Sequence, residues 1–129
     1  MKRLIIGSDA PGYINTSTES IEGLSDCALL EEINVRNTTK ISSLNLGGNG
    51  LIKKVYAGGS NITTISLPNG GVLNEIEYGP NTTNITLLNQ KFLTDFSYVD
   101  NNSHYSLAKL WVENTPNVPV VDIILTALD

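Results

Sequence analysis

From Leu30 to Leu87 the apolar positions follow one hexad, apolar-x-x-apolar-x-apolar, repeated along the chain. It reads Leu30-Glu31-Glu32-Ile33-Asn34-Val35, then Ile41-Ser42-Ser43-Leu44-Asn45-Leu46, then Ile52-Lys53-Lys54-Val55-Tyr56-Ala57. It returns as Ile62-Thr63-Thr64-Ile65-Ser66-Leu67 and Leu73-Asn74-Glu75-Ile76-Glu77-Tyr78, and more weakly as Thr82-Thr83-Asn84-Ile85-Thr86-Leu87. The central apolar residues fall at 33, 44, 55, 65, 76 and 85, with gaps of 11, 11, 10, 11 and 9. Positions four and six of a hexad are alternate residues, so they share one side of a strand. No helical apolar period fits between one hexad and the next.

Two kinds of hexad alternate. One carries charge (Glu31, Glu32, Lys53, Lys54, Glu75) and the other is Ser, Thr and Asn outside its apolar positions. Pairing like with like gives steps of 22 and 21 for the charged series and 21 and 20 for the polar series. The pattern predicts a solenoid with two short strands per coil, stacked into two parallel sheets around one apolar core. Stacked charged hexads put Arg3, Glu32, Lys54, Glu75, Asp95 and Lys109 in one column. Neighbours there alternate in sign except Glu75 beside Asp95, and opposite charges on adjacent strands are favourable by roughly 0.2–1 kcal/mol.

Residues 1–29 read as an irregular first coil. Met1–Ile6 is a charged-type hexad, and Asp9-Ala10-Pro11-Gly12 is a turn signal. Thr16 and Glu19 have capping-box spacing for a short helical turn. Ile21-Glu22-Gly23-Leu24 is a worn polar hexad, and Cys27 fits a buried corner better than a reactive thiol. After the regular coils of 30–112, residues 113–129 read as a terminal loop and a helix. Pro119 opens that helix, and Val120, Val121, Ile124, Leu125 and Leu128 fall on one face. Leu93–Tyr98 and Leu107–Val112 continue the charged series, with centres 14 apart (110 minus 96), so the polar strand between them is expected to be missing or shortened. The abrupt ends predict a segment of a longer protein, and uncapped parallel edges predict edge or end-to-end self-association.

Leu30-x-x-Ile33-x-Val35-x-Asn37 and Leu107-x-x-Leu110-x-Val112-x-Asn114 resemble the leucine-rich repeat signature. A coil of about 21 residues with a second strand on its outer side resembles the irregular bacterial and phage branch of that family. The resemblance covers Leu30 to Val112, and departs from consensus where Ala57, Tyr78 and Tyr98 replace an inward Leu. It implies a mostly β, right-handed solenoid of about six coils with two parallel sheets and a short C-terminal helix. The Leu107 to Pro119 segment, with its Glu113–Pro119 run, is similar to leucine-rich segments of large gut-phage virion or tail-associated proteins. That implies a virion-associated or bacterial cell-surface location.

Charge and chemistry narrow the function. A net charge of -5 with 8 Lys and Arg among 129 residues speaks against a nucleic-acid surface. No run is long enough to cross a membrane. His104 lies in an Asn and Ser loop without a partner, and Cys27 and His104 do not make a metal site, so no cofactor or metal is expected. Gly47-Gly48-Asn49-Gly50 lacks the Lys-Ser/Thr of a P-loop and reads as a sharp corner. The Asn-x-Thr triplets at Asn37, Asn61, Asn81 and Asn84 read as stacked corner residues that satisfy backbone groups between coils. Carboxylates alternating with Lys and Arg do not form the acidic cluster of a carbohydrate-active enzyme, so catalysis is the weakest reading.

Binding is the favoured activity. The outward column of the charged sheet reads Ile5, Asn34, Tyr56, Glu77, Ser97, Trp111, and aromatics standing out from a strand are good contact residues. The candidate face comprises Asn34, Arg36, Lys54, Tyr56, Glu75, Glu77, Asp95, Trp111 and Glu113. Its expected partner is a protein or a cell-surface glycan, and the alternative is a structural spacer without a ligand. Six strands and three outward columns span on the order of 350 Å², below the ~800 Å² per partner of a standard protein interface.

Overall fold

The hexads form strands at their third to fifth positions, where a buried central residue is flanked by outward polar ones. The computed structural model describes residues 1–98 and 109–117. In chain order the strands are β1 (Arg3–Ile5), β2 (Glu32–Asn34), β3 (Ser43–Asn45), β4 (Lys54–Tyr56) and β5 (Thr64–Ser66). They continue as β6 (Glu75–Tyr78), β7 (Asn84–Leu88), β8 (Asp95–Tyr98) and β9 (Lys109–Glu113). All pair in parallel, as a five-stranded sheet β1-β2-β4-β6-β8 and a four-stranded sheet β3-β5-β7-β9. The result is a mostly β solenoid. Three regular turns run from Ile33 through Val55 and Ile76 to Phe96, in steps of 22, 21 and 20. They follow one longer circuit from β1 to β2.

From Leu30 to Leu87 each hexad's first position is buried (Leu30, Ile41, Ile52, Ile62, Leu73 and Thr82), with Leu93 beyond them, whereas Met1 of the first hexad is exposed. These corner residues close the core between the sheets, which otherwise comes from the central and sixth positions. Thr82 keeps its place by donating its hydroxyl to the Ile62 carbonyl at 2.8 Å. Ala57 and Tyr78 point inward as expected, and the Tyr78 ring lies 5.1 Å from that of Phe96. Corner amides run from turn to turn: Asn81 to Asn61 at 2.7 Å, Asn89 to Asn69 at 2.6 Å, and Asn114 to Asn89 at 2.8 Å. Asn61 also reaches the Thr39 carbonyl, and Asn37 that of Ser8. Three of the four Asn-x-Thr asparagines thus act as corner ladders. Asn84 does not.

The first circuit departs from the sequence reading. Residues 21–24 form no strand; Leu24–Asp26 is a 3-10 turn with Leu24 buried against the core. Gly23, at φ 76°, breaks the extended run immediately before it. Asn49, fully buried, donates to the Leu24 and Cys27 carbonyls and so ties this turn to the corner after β3. No helical turn forms at Thr16, because the Asn15 side chain accepts from the Ser17 and Thr18 amides and closes a tight turn instead. Cys27 is half-buried, its Sγ 3.6 Å from the Gly23 carbonyl.

The larger correction concerns β9. Leu107–Val112 does not extend the charged series; its described strand pairs with β7, setting Lys109 opposite Asn84, Trp111 opposite Thr86 and Glu113 opposite Leu88. The column Arg3, Glu32, Lys54, Glu75, Asp95 is as expected, but Lys109 leaves it for the other sheet. The spacing of 14 between strand centres is too short for a turn of 20–22 and fits a half-turn with a small insertion. The polar-sheet strand is therefore present, and it is β9 itself. About six coils give way to five and four strands among the described residues. The proposed helix after Pro119 and His104 lie outside them.

Candidate functional site

On the outward side of the five-stranded sheet the polar groups are joined to one another. Arg36, just past β2, reaches over β4 to β6. Its Nε and Nη2 donate to Oε1 and Oε2 of Glu77 at 2.9 and 3.0 Å, a two-pronged pair. On the way its guanidinium lies 4.3 Å from the centre of the Tyr56 ring. Glu77 Oε1 also accepts the Gly58 amide at 2.9 Å, and Asp9 stands 3.6 Å from Arg36 Nη1. The hydrogen bonds that Arg36 donates to Glu77 favour its charged form and raise its pKa against the effect of burial. Glu77 stands in the outward column by register but is only 7% exposed, being held by Arg36 and the Gly58 amide, so it offers little free contact surface.

The Tyr56 hydroxyl donates to Glu75 Oε2 at 2.9 Å. Burial first, then that hydrogen bond and the charges of Glu75 and Glu32, push the phenol pKa from 10 up to about 12, with Arg36 opposing. The folded state thus holds the proton more tightly than the unfolded chain. The resulting stability is full below about pH 10 and is lost as pH rises through about 12. Tyr56→Phe is expected to flatten that alkaline fall, read as urea midpoints of both proteins across this window.

The remaining members of the predicted face have mixed fates. Asn34 turns back to accept the Arg36 amide at 3.0 Å. Lys54 is exposed and lines a shallow groove with Arg3, Glu31, Glu32 and Lys53. Arg3 bridges Glu32 at 2.9 Å, and Lys53 bridges Glu31 at 3.5 Å. Pairs this exposed contribute about 0–1 kcal/mol each. Asp95 stands exposed beside Glu75, the one like-charged step of the column. Trp111 and Glu113 are absent from this sheet altogether.

They stand instead on the outward face of the four-stranded sheet. There β3 presents Ser43 and Asn45, β5 Thr64 and Ser66, and β7 Asn84 and Thr86, around buried Leu44, Ile65 and Ile85. None of those six is charged. Trp111 is 54% exposed next to Thr86 and ends the row Asn45, Ser66, Thr86, Trp111. Beside it lies a depression of about 190 Å³ lined by Thr64, Ser66, Leu67, Asn84, Thr86 and Leu88, among others. Among the described residues the side chains of Ser43, Thr64, Ser66, Asn84 and Thr86 make no hydrogen bond within the protein. The contrast with the first sheet is direct: one face satisfies its own polar groups, and the other leaves them to solvent or a ligand. Sequence reading overlooked Ser66, Asn84 and Thr86. The half-turn spacing before Trp111 was the available signal.

Among the described residues, no group of three or more His, Cys, Asp or Glu is placed to hold a metal ion. No described helix is long and apolar enough to cross a membrane. Comparison with family models, curated proteins and solved structures found no match.

Proposed function

We propose that this chain is a non-enzymatic recognition module of the leucine-rich-repeat type. It is a segment of a larger phage virion or tail protein, or of a bacterial surface protein, and binds a protein or glycan on a cell. The observation that carries this reading is Trp111, 54% exposed at the end of a polar row in which Ser66 and Thr86 have no internal side-chain partners. A large aromatic held on a strand gives contact area at low conformational cost. Sheet geometry supports rigidity, since each strand is fixed by in-register parallel neighbours.

The second reading is a structural spacer. The turn-to-turn ladders Asn61–Asn81 and Asn69–Asn89–Asn114 favour it, because they stiffen the long axis without needing a ligand. Pairing through the free side of β1, the last strand of its sheet, would suit such a role. Binding of the purified protein to a panel of bacterial cells separates the two. Recognition predicts saturable binding that Trp111→Ala reduces about tenfold or more, a hot-spot loss, while Tyr56→Ala keeps it. A folded protein that binds no cell in the panel supports the spacer.

A further inference from the structure

We infer that the outward face of the four-stranded sheet takes an uncharged oligosaccharide, stacked on Trp111 and hydrogen-bonded along the Asn45–Ser66–Thr86 row. This rests on the recognition reading and names the ligand class of that site.

Five features select this chemistry. The described face is small: four strands by three outward columns cover on the order of 200 Å², against ~800 Å² for one side of a standard protein interface. A ligand a few rings long suits that size better than a folded protein does. The face is neutral through β3, β5 and β7, with charge only on β9 among the described strands, at Lys109 and Glu113, so the polar row itself rewards neither an acidic nor a basic ligand. Its groups are hydroxyls and amides, which both donate and accept, as sugar hydroxyls do. The Ser66 and Thr86 side chains are unpaired within the protein, so a ligand breaks no internal bond to reach them. Finally, the C–H faces of a pyranose ring carry partial positive charge and pack on the negative face of an indole.

Geometry adds an ordering. Rows from β3 to β9 are about 4.8 Å apart, so Thr86, Ser66 and Asn45 lie progressively farther from Trp111 along the solenoid axis. Asn45 Oδ1 already accepts the Gly47 amide, which leaves its NH2 group as donor. The shallow depression against Thr86 and Leu88 gives a ring edge somewhere to settle. The geometry points to a chain lying across the strands, with one ring on Trp111 and later hydroxyls over the polar row.

Trp111 is the sole tryptophan, so its emission reports this site alone. The probes are maltohexaose, cellohexaose, xylohexaose and N-acetylchitohexaose, with oligogalacturonate and hyaluronan oligosaccharides as acidic counterparts. At least one neutral probe is expected to shift the emission saturably, with an affinity unchanged between low and high salt because no ion pair is screened. Thr86→Val, which keeps the strand and the indole, is expected to weaken that probe about two- to tenfold. Trp111→Phe is expected to retain binding, and Trp111→Ala to lose it, by calorimetry, with unchanged circular dichroism. No response to any neutral probe, while cell binding still depends on Trp111, overturns the oligosaccharide and leaves recognition standing. Salt-sensitive binding of acidic probes only also overturns it. Loss of neither cell nor sugar binding in Trp111→Ala overturns both readings.

Discussion

Glu77→Ala is expected to destabilise the protein by about 1.5–3 kcal/mol, the cost of removing a charged hydrogen-bond acceptor from a part-buried ion pair. Glu77 ties three things together: the Arg36 guanidinium, the Gly58 amide and, through Arg36, the ring of Tyr56. With the carboxylate gone, Arg36 keeps only the weak and exposed Asp9 at 3.6 Å, and the buried Gly58 amide loses its acceptor. Glu77→Gln is expected to cost less, because its amide oxygen can still accept from Gly58. Arg36→Ala with Glu77→Ala together should cost clearly less than the sum of the two single changes, since each alone strands its partner. Urea unfolding of the four proteins in a double-mutant cycle measures this coupling. Strict additivity would show that the pair is not an energetic unit.

Ile76→Ala is the second large effect, expected at about 2–5 kcal/mol for a fully buried aliphatic truncated in place. Ile76 is 0% exposed and lies in register between Val55 and Phe96, so its cavity opens onto two neighbouring turns. In a solenoid each turn is stabilised chiefly by its immediate neighbours. Damage at β6 should therefore loosen the contact of β6 and β8 with the turns before them, while β1 and β2 keep theirs. Hydrogen exchange read strand by strand tests this. Faster exchange confined to β6 and β8, with β2 protected, is the expected pattern. Uniform acceleration in every strand would instead mean that the solenoid opens as one unit.

These effects fall on different parts of the sequence reading. The inward positions were plain from the hexads, because a side chain's side of a strand follows directly from period two. Ile33, Val35, Leu44, Leu46, Val55 and Ala57 are all buried as that pattern requires. Like-with-like stacking was also legible, through charge alternation in the column from Arg3 to Asp95. What misled was composition. Lys109 and Trp111 look like the charged series, yet composition does not decide which sheet a strand joins; the length of chain available to reach it does.

The candidate face was legible only in part for the same reason. Tyr56 and Glu77 were correctly set side by side in one column, and β4 pairs with β6 in that register. Pattern could not show that Arg36 spans them, because a long side chain crossing two strands leaves no periodic trace. By itself, then, the sequence determined the period, the core and the order of stacking as far as β8, all of which are local or nearest-neighbour properties. The tertiary structure alone decided that Arg36 meets Glu77 over Tyr56 and that Trp111 stands among Ser66 and Thr86. Both depend on the three-dimensional path of the chain between strands, which brings distant residues within reach regardless of their spacing.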